Sequence, residues 1–183
     1  MEKQTAITLF YSMHPGFFEK EFIQDLDAEW TFDEMILRLD EFDIHKYEKD
    51  FDSSVTFGFF NGDRAELLNV VAQVQEDWPR YFEEGDRVFC AYLDGKVVSF
   101  CIVANMGTYN IDGQTLTIGG PGCVGTLPEY RDRGLGLMMV KKATQILKDE
   151  GCDYSYIHYT HIAQWYAKLG YETVLQWNKN GII

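Results

Sequence analysis

The sequence predicts a mixed α/β (α+β) fold: a central mixed, mostly antiparallel β-sheet flanked by helices, with a mainly helical N-terminal extension. Three observations carry this reading. Two β-type runs, Val88–Leu93 and Lys96–Ala104, flank Asp94-Gly95, a type I′ hairpin signal. Between the β-type segments Thr115–Thr126 and Tyr154–Tyr159 runs a helical period in which Met139, Val140, Ala143 and Leu147 share one face. A helix there must join two parallel strands by a right-handed crossover. Finally, 183 residues of which 46% are hydrophobic suffice for one compact core.

Taken in chain order, residues 1–53 read as the helical extension and 54–183 as the main domain, packed as one unit. His14-Pro15-Gly16 breaks the chain, and Phe18, Phe22 and Leu26 then follow at helical spacing. Thr31-x-x-Glu34 has the form of a capping box ahead of Met35, Ile36, Leu39 and Phe42, which predicts a second helix. Ser54–Phe60 is a short strand ended by Asn61-Gly62, and Asp63-x-x-Glu66 caps a helix carrying Leu67, Val70, Val71 and Val74. Trp78-Pro79 starts a short turn or helix. Gly119-Gly120-Pro121-Gly122 interrupts the Thr115–Thr126 strand, which predicts a bulge, a bend or an unpaired edge. The crossover helix ends at Gly151, Thr160–Leu169 is a short helix closed by Gly170, and Tyr171–Trp177 is a strand. Only six residues follow Trp177, so the expectation is that Thr5–Tyr11, or the second subunit of a homodimer, covers the edge of the last strand.

Composition excludes several classes. A net charge of −13 argues against nucleic acid and anionic membrane as partners. No apolar run approaches the roughly 20 residues needed to span a bilayer, and the first residues lack the basic-then-apolar order of a signal peptide. Cys90, Cys101, Cys123 and Cys152 stand singly with no CxxC pair, so no metal site is expected and reduced thiols in a cytoplasmic protein fit best. Residues 1–62 carry 14 acids and 5 bases, a net of −9. Such a stretch reads first as a solvated surface and second as a wall that attracts a cationic small molecule.

The most informative stretch is Val124-Gly125-Thr126 followed by Arg131-Asp132-Arg133-Gly134-Leu135-Gly136-Leu137. A strand that turns into a helix through two arginines and two glycines presents free amides and the positive end of a helix dipole. That is a cradle for a pyrophosphate. A dinucleotide loop fits poorly, because the third glycine and a following acid-tipped strand are missing.

Pro128-Glu129-Tyr130-Arg131-x-x-Gly134-x-Gly136 resembles the Arg/Gln-x-x-Gly-x-Gly/Ala signature of the GNAT superfamily of acetyl-CoA-dependent N-acetyltransferases. Trp165-Tyr166-Ala167-Lys168-Leu169-Gly170-Tyr171 is similar to that family's aromatic-Tyr-x-Lys-x-Gly-aromatic segment. The resemblance covers roughly residues 54–177. It implies a splayed sheet that admits the pantetheine arm, with coenzyme A held by Val124, Gly125, Thr126, Arg131, Asp132, Arg133, Gly134, Leu135, Gly136 and Leu137. It implies Tyr166 as the general acid and acetyl-CoA as co-substrate, transferring acetyl to a primary amine by direct attack in a ternary complex.

The acceptor is expected to be a small molecule, with the acidic N-terminal third favouring a cationic amine; the alternative is a non-catalytic acyl-CoA binding or sensing module. Tyr159 aligns where many relatives carry an asparagine. No carboxylate lies on the strand from Leu116 to Leu127 to act as a base. His158 and His161 read first as helix-cap or surface residues and second, with Tyr159, as groups able to take a proton. Cys123 reads as a small buried apolar residue rather than an acyl carrier.

Overall fold

The computed structural model describes all residues, 1–183. Its frame is an eight-stranded sheet built from β1 (Phe32–Arg38), β2 (Val55–Phe59), β3 (Val88–Leu93), β4 (Lys96–Ile111), β5 (Gln114–Thr126), β6 (Tyr154–Thr160), β7 (Glu172–Asn178) and β8 (Gly181–Ile182), ordered β2-β3-β4-β5-β6-β1-β7-β8. Only β5 and β6 run parallel; every other neighbouring pair is antiparallel. The helices are α1 (Lys3–Met13), α2 (Glu21–Gln24), α3 (Arg64–Val74), α4 (Leu135–Asp149) and α5 (Ala163–Tyr166). No helix is long and apolar enough to cross a membrane.

The elements follow from local chemistry. Asp94 and Gly95 both have positive φ, 50° and 79°, as the type I′ turn between β3 and β4 requires. Asp63 Oδ1 accepts from the Ala65 amide and so caps α3. On α4, Met139, Val140, Ala143 and Leu147 are fully or almost fully buried against the sheet. This helix is the crossover between the parallel strands β5 and β6.

Two expectations fail in the N-terminal region. The Thr31-x-x-Glu34 pattern does not cap a helix, because Phe32–Arg38 is a strand paired on both sides, to β6 and β7. Its alternation decides the matter. Phe32, Glu34 and Ile36 face the α1 side and Met35 and Leu37 the α4 side, all buried. A strand covered on both faces reads as a continuous apolar run, which also satisfies a helical period. The Thr5–Tyr11 stretch does not extend the sheet either, since it lies within α1, where Ala6, Leu9 and Phe10 are buried against the sheet. The outer neighbour of β7 is instead β8, through Trp177↔Ile182 and Asn178↔Gly181.

The irregularity predicted at Gly119–Gly122 takes a specific form. These residues stay paired with β4, and the bulge falls just after them, where Cys123 and Val124 stand opposite the single Cys101. Cys123 adopts φ +46° to make it. On the other edge the parallel ladder to β6 consists of Ile118↔Tyr154 and Gly119↔Ser155 and then stops. The sequence supplies the reason. Thr117 donates its amide toward β6, to Asp153 Oδ2, so the alternate positions 119 and 121 present their amide sites to the same side. Position 121 is proline and has no N–H. Beyond Gly120, where a Cβ would come within 2.1 Å of the Tyr156 carbonyl oxygen, the two strands part.

Candidate functional site

The opening between β5 and β6 lies next to the loop that leads into α4. That loop is curled, with a run of free amides. Asp132 (φ 60°) and Gly134 (φ 80°) are left-handed and curl the chain. The amides of Asp132, Arg133, Gly134, Leu135, Gly136 and Leu137 donate to no group in the protein, and the first bond of α4 is Met138 N–H to Gly134 O. The absence of side chains at the glycines is required. A Cβ on Gly134 would stand 2.5 Å from Lys49 Cδ and 2.8 Å from the Tyr47 hydroxyl, and one on Gly136 would stand 3.0 Å from Thr126 Oγ1. Arg131 and Arg133 are exposed and pinned at one end to their own loop, Arg131 Nε donating to Thr126 O (3.2 Å) and Arg133 Nη2 to Glu129 O (3.0 Å). Each guanidinium retains further donors.

The strand residues expected to line the ligand sit at this same end of the opening. Val124 belongs to the bulge and Gly125 is paired with Phe100. Ser99 Oγ donates to Gly125 O and lies 2.8 Å from Thr126 Oγ1, which fixes the last strand residues before the loop. The structure thus brings together every residue named for the cradle.

It also adds residues that the sequence does not announce. The segment 42–51 crosses α4, tied to it by Lys141 Nζ donating to Tyr47 O and Lys148 Nζ donating to Phe42 O. Lys49 is thereby brought to the cradle, beside a cleft of about 390 Å³ that Lys141 and Lys142 also line. Glu48 and Asp50 line the same cleft, so three lysines and two acids meet at this corner. Nothing in the sequence around Lys49 marks it; it is reached only by folding. Trp165 lies against Gly136 and forms a wall of the same corner.

Tyr166 ends α5 and is buried on the α4 side of the sheet, with Trp165 at 4.8 Å and Tyr171 at 6.0 Å between ring centroids. Its hydroxyl makes no hydrogen bond within the protein, whereas that of Tyr171 meets Ser155 Oγ (2.6 Å) and Thr144 Oγ1 (2.8 Å). Burial, then the nearby Tyr171, Cys101 and Cys123, push the Tyr166 phenol well above its ordinary range. It stays protonated and free to donate. Cys123 is likewise held as the thiol, pushed up to about 11 by burial and then by Asp86, which does not suit a nucleophile.

On the opposite face, Glu34 is fully buried on β1. It accepts from His158 Nδ1 (2.9 and 3.0 Å), the Tyr159 amide (3.2 Å) and Trp177 Nε1 (2.7 Å). Here β6 bulges, so that His158 and Tyr159 together stand opposite Glu34, and Tyr159 adopts φ +58°. His158 and Tyr159 therefore belong to a strand, not to a helix cap, and Tyr159 turns to Phe32 and Trp177. His161 is exposed.

His14 follows α1 and stacks on His158 at 4.0 Å and 15°. Burial first, then His158 and Lys20, lowers its pKa to about 3, and its Nε2 is buried without a partner. A histidine that stays neutral when folded but titrates near 6.5 when unfolded costs stability as pH falls. Between pH 6.5 and 3 the unfolded chain takes up the extra proton, so stability declines by less than the one-proton limit of ~1.4 kcal/mol per pH unit. Thermal unfolding from pH 7.5 to 4.5 should show this decline, and His14→Phe should make it shallower.

Comparisons with known proteins agree with this architecture. A sequence profile described as an acetyltransferase (GNAT) domain matches residues 51–174. Three solved structures are similar in fold. A GCN5-related glucosamine N-acetyltransferase region of a fungal multi-domain GH3 β-N-acetylglucosaminidase superposes with a TM-score of 0.66 at 22% identity, covering 82% of this chain and 20% of that one. A GCN5-related N-acetyltransferase from Kribbella flavida gives 0.55 at 19% identity, covering 82% and 57%. One from Sphaerobacter thermophilus gives 0.57 at 16% identity, covering 78% and 48%. The chain therefore spans about a fifth of the first and about half of the other two. A search of curated proteins returned no match.

Proposed function

Because the chain belongs to the GNAT acetyltransferase family, we propose that it is an acetyl-CoA-dependent N-acetyltransferase, moving acetyl to a primary amine by direct attack within a ternary complex. The observation that carries this reading is the opening between β5 and β6, with an anion nest at its end and an unpaired, buried phenol on its α4 side. Acetyl-CoA supplies an activated acyl thioester. The residues present fit its parts: the free amides at 132–137 with Arg131, Arg133 and Lys49 suit its phosphates. The unpaired edge at Pro121–Val124 suits an extended arm lying as a further strand. Tyr166 is the general acid that protonates the departing sulfur.

The acceptor we propose is a small cationic amine drawn by the acidic N-terminal third. The four unpaired cysteines favour a reducing, cytoplasmic setting. Titration calorimetry with acetyl-CoA, paired with thiol release across polyamines, amino sugars and neutral amino compounds, tests the reading. Binding without turnover across the panel makes the chain an acyl-CoA sensor instead. Arg131→Ala and Arg133→Ala should each lose charge-assisted bonds of roughly 1.5–3 kcal/mol, a ~10- to 150-fold weaker Kd for acetyl-CoA by calorimetry. Unchanged affinity in both removes them from the site.

A further inference from the structure

The geometry points to the buried Glu34–His158 pair as a proton relay for the acceptor amine, with His158 Nε2 as general base and Glu34 as the residue that positions it. The inference rests on the acetyltransferase reading above and assigns the half of the chemistry that Tyr166 does not cover.

Three observations carry it. First, the pair has the construction of a base rather than of a structural contact. Glu34 is fully buried, and both its carboxylate oxygens face His158 Nδ1. An imidazole whose Nδ1–H is held by a carboxylate presents its lone pair at Nε2. That nitrogen makes no hydrogen bond within the protein, and the side chain keeps 27% exposure.

Second, the pair stands level with the opening. The β5–β6 ladder ends at Gly119↔Ser155, so three residues further on, Gly122 and His158 stand level on strands that have parted. An odd number of steps moves both from the α4 face, where Gly119 meets Leu147 and Ser155 meets Tyr171, to the α1 face. A Cβ built on Gly122 meets nothing within 4 Å. The α1 face is therefore open beside Gly122, with His158 level with it on the parted strand, while Tyr166 lies in the α4-side core with Cys101. Acid and base lie on opposite faces of the sheet at the opening, so one can serve the departing sulfur and the other the attacking nitrogen.

Third, the ring is held in place. His14 stacks on it, Phe17 packs edge-on at 5.1 Å, and the β6 bulge closes the Tyr159 amide onto Glu34. The charged and titratable groups around His158 are Glu34 on β1, His14 after α1 and Tyr156 on its own strand, with Lys20 beyond His14. Ligand atoms of His14, Glu34 and His158 lie within 4.8 Å of one another, so the two rings and the carboxylate form one cluster.

In the step itself, Tyr166 gives its proton to sulfur as the carbon–sulfur bond breaks and the nitrogen–carbon bond forms. His158 Nε2 takes the proton that the nitrogen sheds. The imidazolium then loses that proton to solvent and the phenolate regains one, leaving amide and free thiol with no net change in the protein.

The test measures thiol release and acetyl-CoA affinity for wild type, His158→Ala and Glu34→Gln, with thermal unfolding of each. His158→Ala should lower kcat by ~10²- to 10³-fold with acetyl-CoA affinity within about twofold. Added imidazole should restore part of the rate. Glu34→Gln should lower kcat less, and the ¹⁵N signals of the His158 ring should change from one tautomer to a mixture. Should His158→Ala unfold, His158→Gln replaces it with the same expectations except rescue. Wild-type turnover in the His158 variant, or a loss that imidazole cannot rescue and that tracks weakened acetyl-CoA binding, overturns the relay and leaves the acetyltransferase reading standing. A wild-type protein that releases no thiol with any amine overturns that reading, and the relay with it.

Discussion

Tyr166→Phe should lower kcat and kcat/KM together by ~10²- to 10³-fold, while acetyl-CoA affinity and thermal stability stay at wild-type values. The split follows from what the hydroxyl touches. Phenylalanine keeps the ring that packs among Trp165, Tyr171 and the α4-side core, so little apolar burial is lost. The hydroxyl has no partner within the protein, so its removal orphans nothing. In the proposed reaction its role is to donate a proton when negative charge develops on sulfur. Since burial holds the phenol protonated beyond its usual range, Tyr166 should set no alkaline limb below pH ~10. Steady-state thiol release from pH 6 to 9.5, with calorimetry on both proteins, checks every part of this. A fully active variant would remove the general-acid assignment.

How much of this site the sequence discloses depends on how local each part is. The nest is local, since the glycines, the arginines and the strand-to-helix change occur within fourteen residues. Its residues are legible in the sequence, and the fold keeps them adjacent. The crossover helix and the hairpin at Asp94-Gly95 are local in the same sense.

Glu34 marks the limit. In sequence it completes a capping box; in the fold it is the buried acceptor of three donors from β6 and β7, more than 120 residues away. Of the two acids inside Phe32–Leu37, Asp33 and Glu34, only Glu34 alternates with the apolar Phe32 and Ile36, and that is the available signal. A carboxylate in a strand covered on both faces needs buried donors, and that requirement excludes an exposed helix cap. Lys49 carries no such signal, because an irregular segment places it by tethering rather than by periodicity. The splay lies between these cases. Four irregular residues announced it, but the side on which pairing fails depends on which way the Pro121 nitrogen faces, and only the register with β4 decides that.

Two alanine substitutions on β5, two residues apart and on the same face, should separate the closed part of the sheet from its working opening. Gly120→Ala brings a methyl to 2.1 Å from the Tyr156 carbonyl oxygen and 2.8 Å from Met106 Cε. The methionine can rotate away; the carbonyl belongs to β6 and cannot move without its strand. Separating the strands would break the ladder at Ile118↔Tyr154 and Gly119↔Ser155 and loosen Ile118 and Tyr156, both almost fully buried. A gain of about 0.4–1 kcal/mol from the stiffer unfolded chain cannot offset that. The expected cost is ~3–5 kcal/mol, seen as a Tm lower by about 10 °C or more. Gly122→Ala has neither penalty, because its methyl enters empty space and the backbone gain remains. Stability should hold or rise slightly. The methyl does, however, enter the space level with His158 through which the proposed relay brings the acceptor to the acyl group, so turnover should fall about tenfold or more, since small misplacements of reacting groups carry large rate penalties. Thermal melts and thiol-release rates of the two variants decide the point. Loss of stability in both would mean that the strands are packed together throughout, and unchanged turnover in Gly122→Ala would mean that the acceptor enters elsewhere.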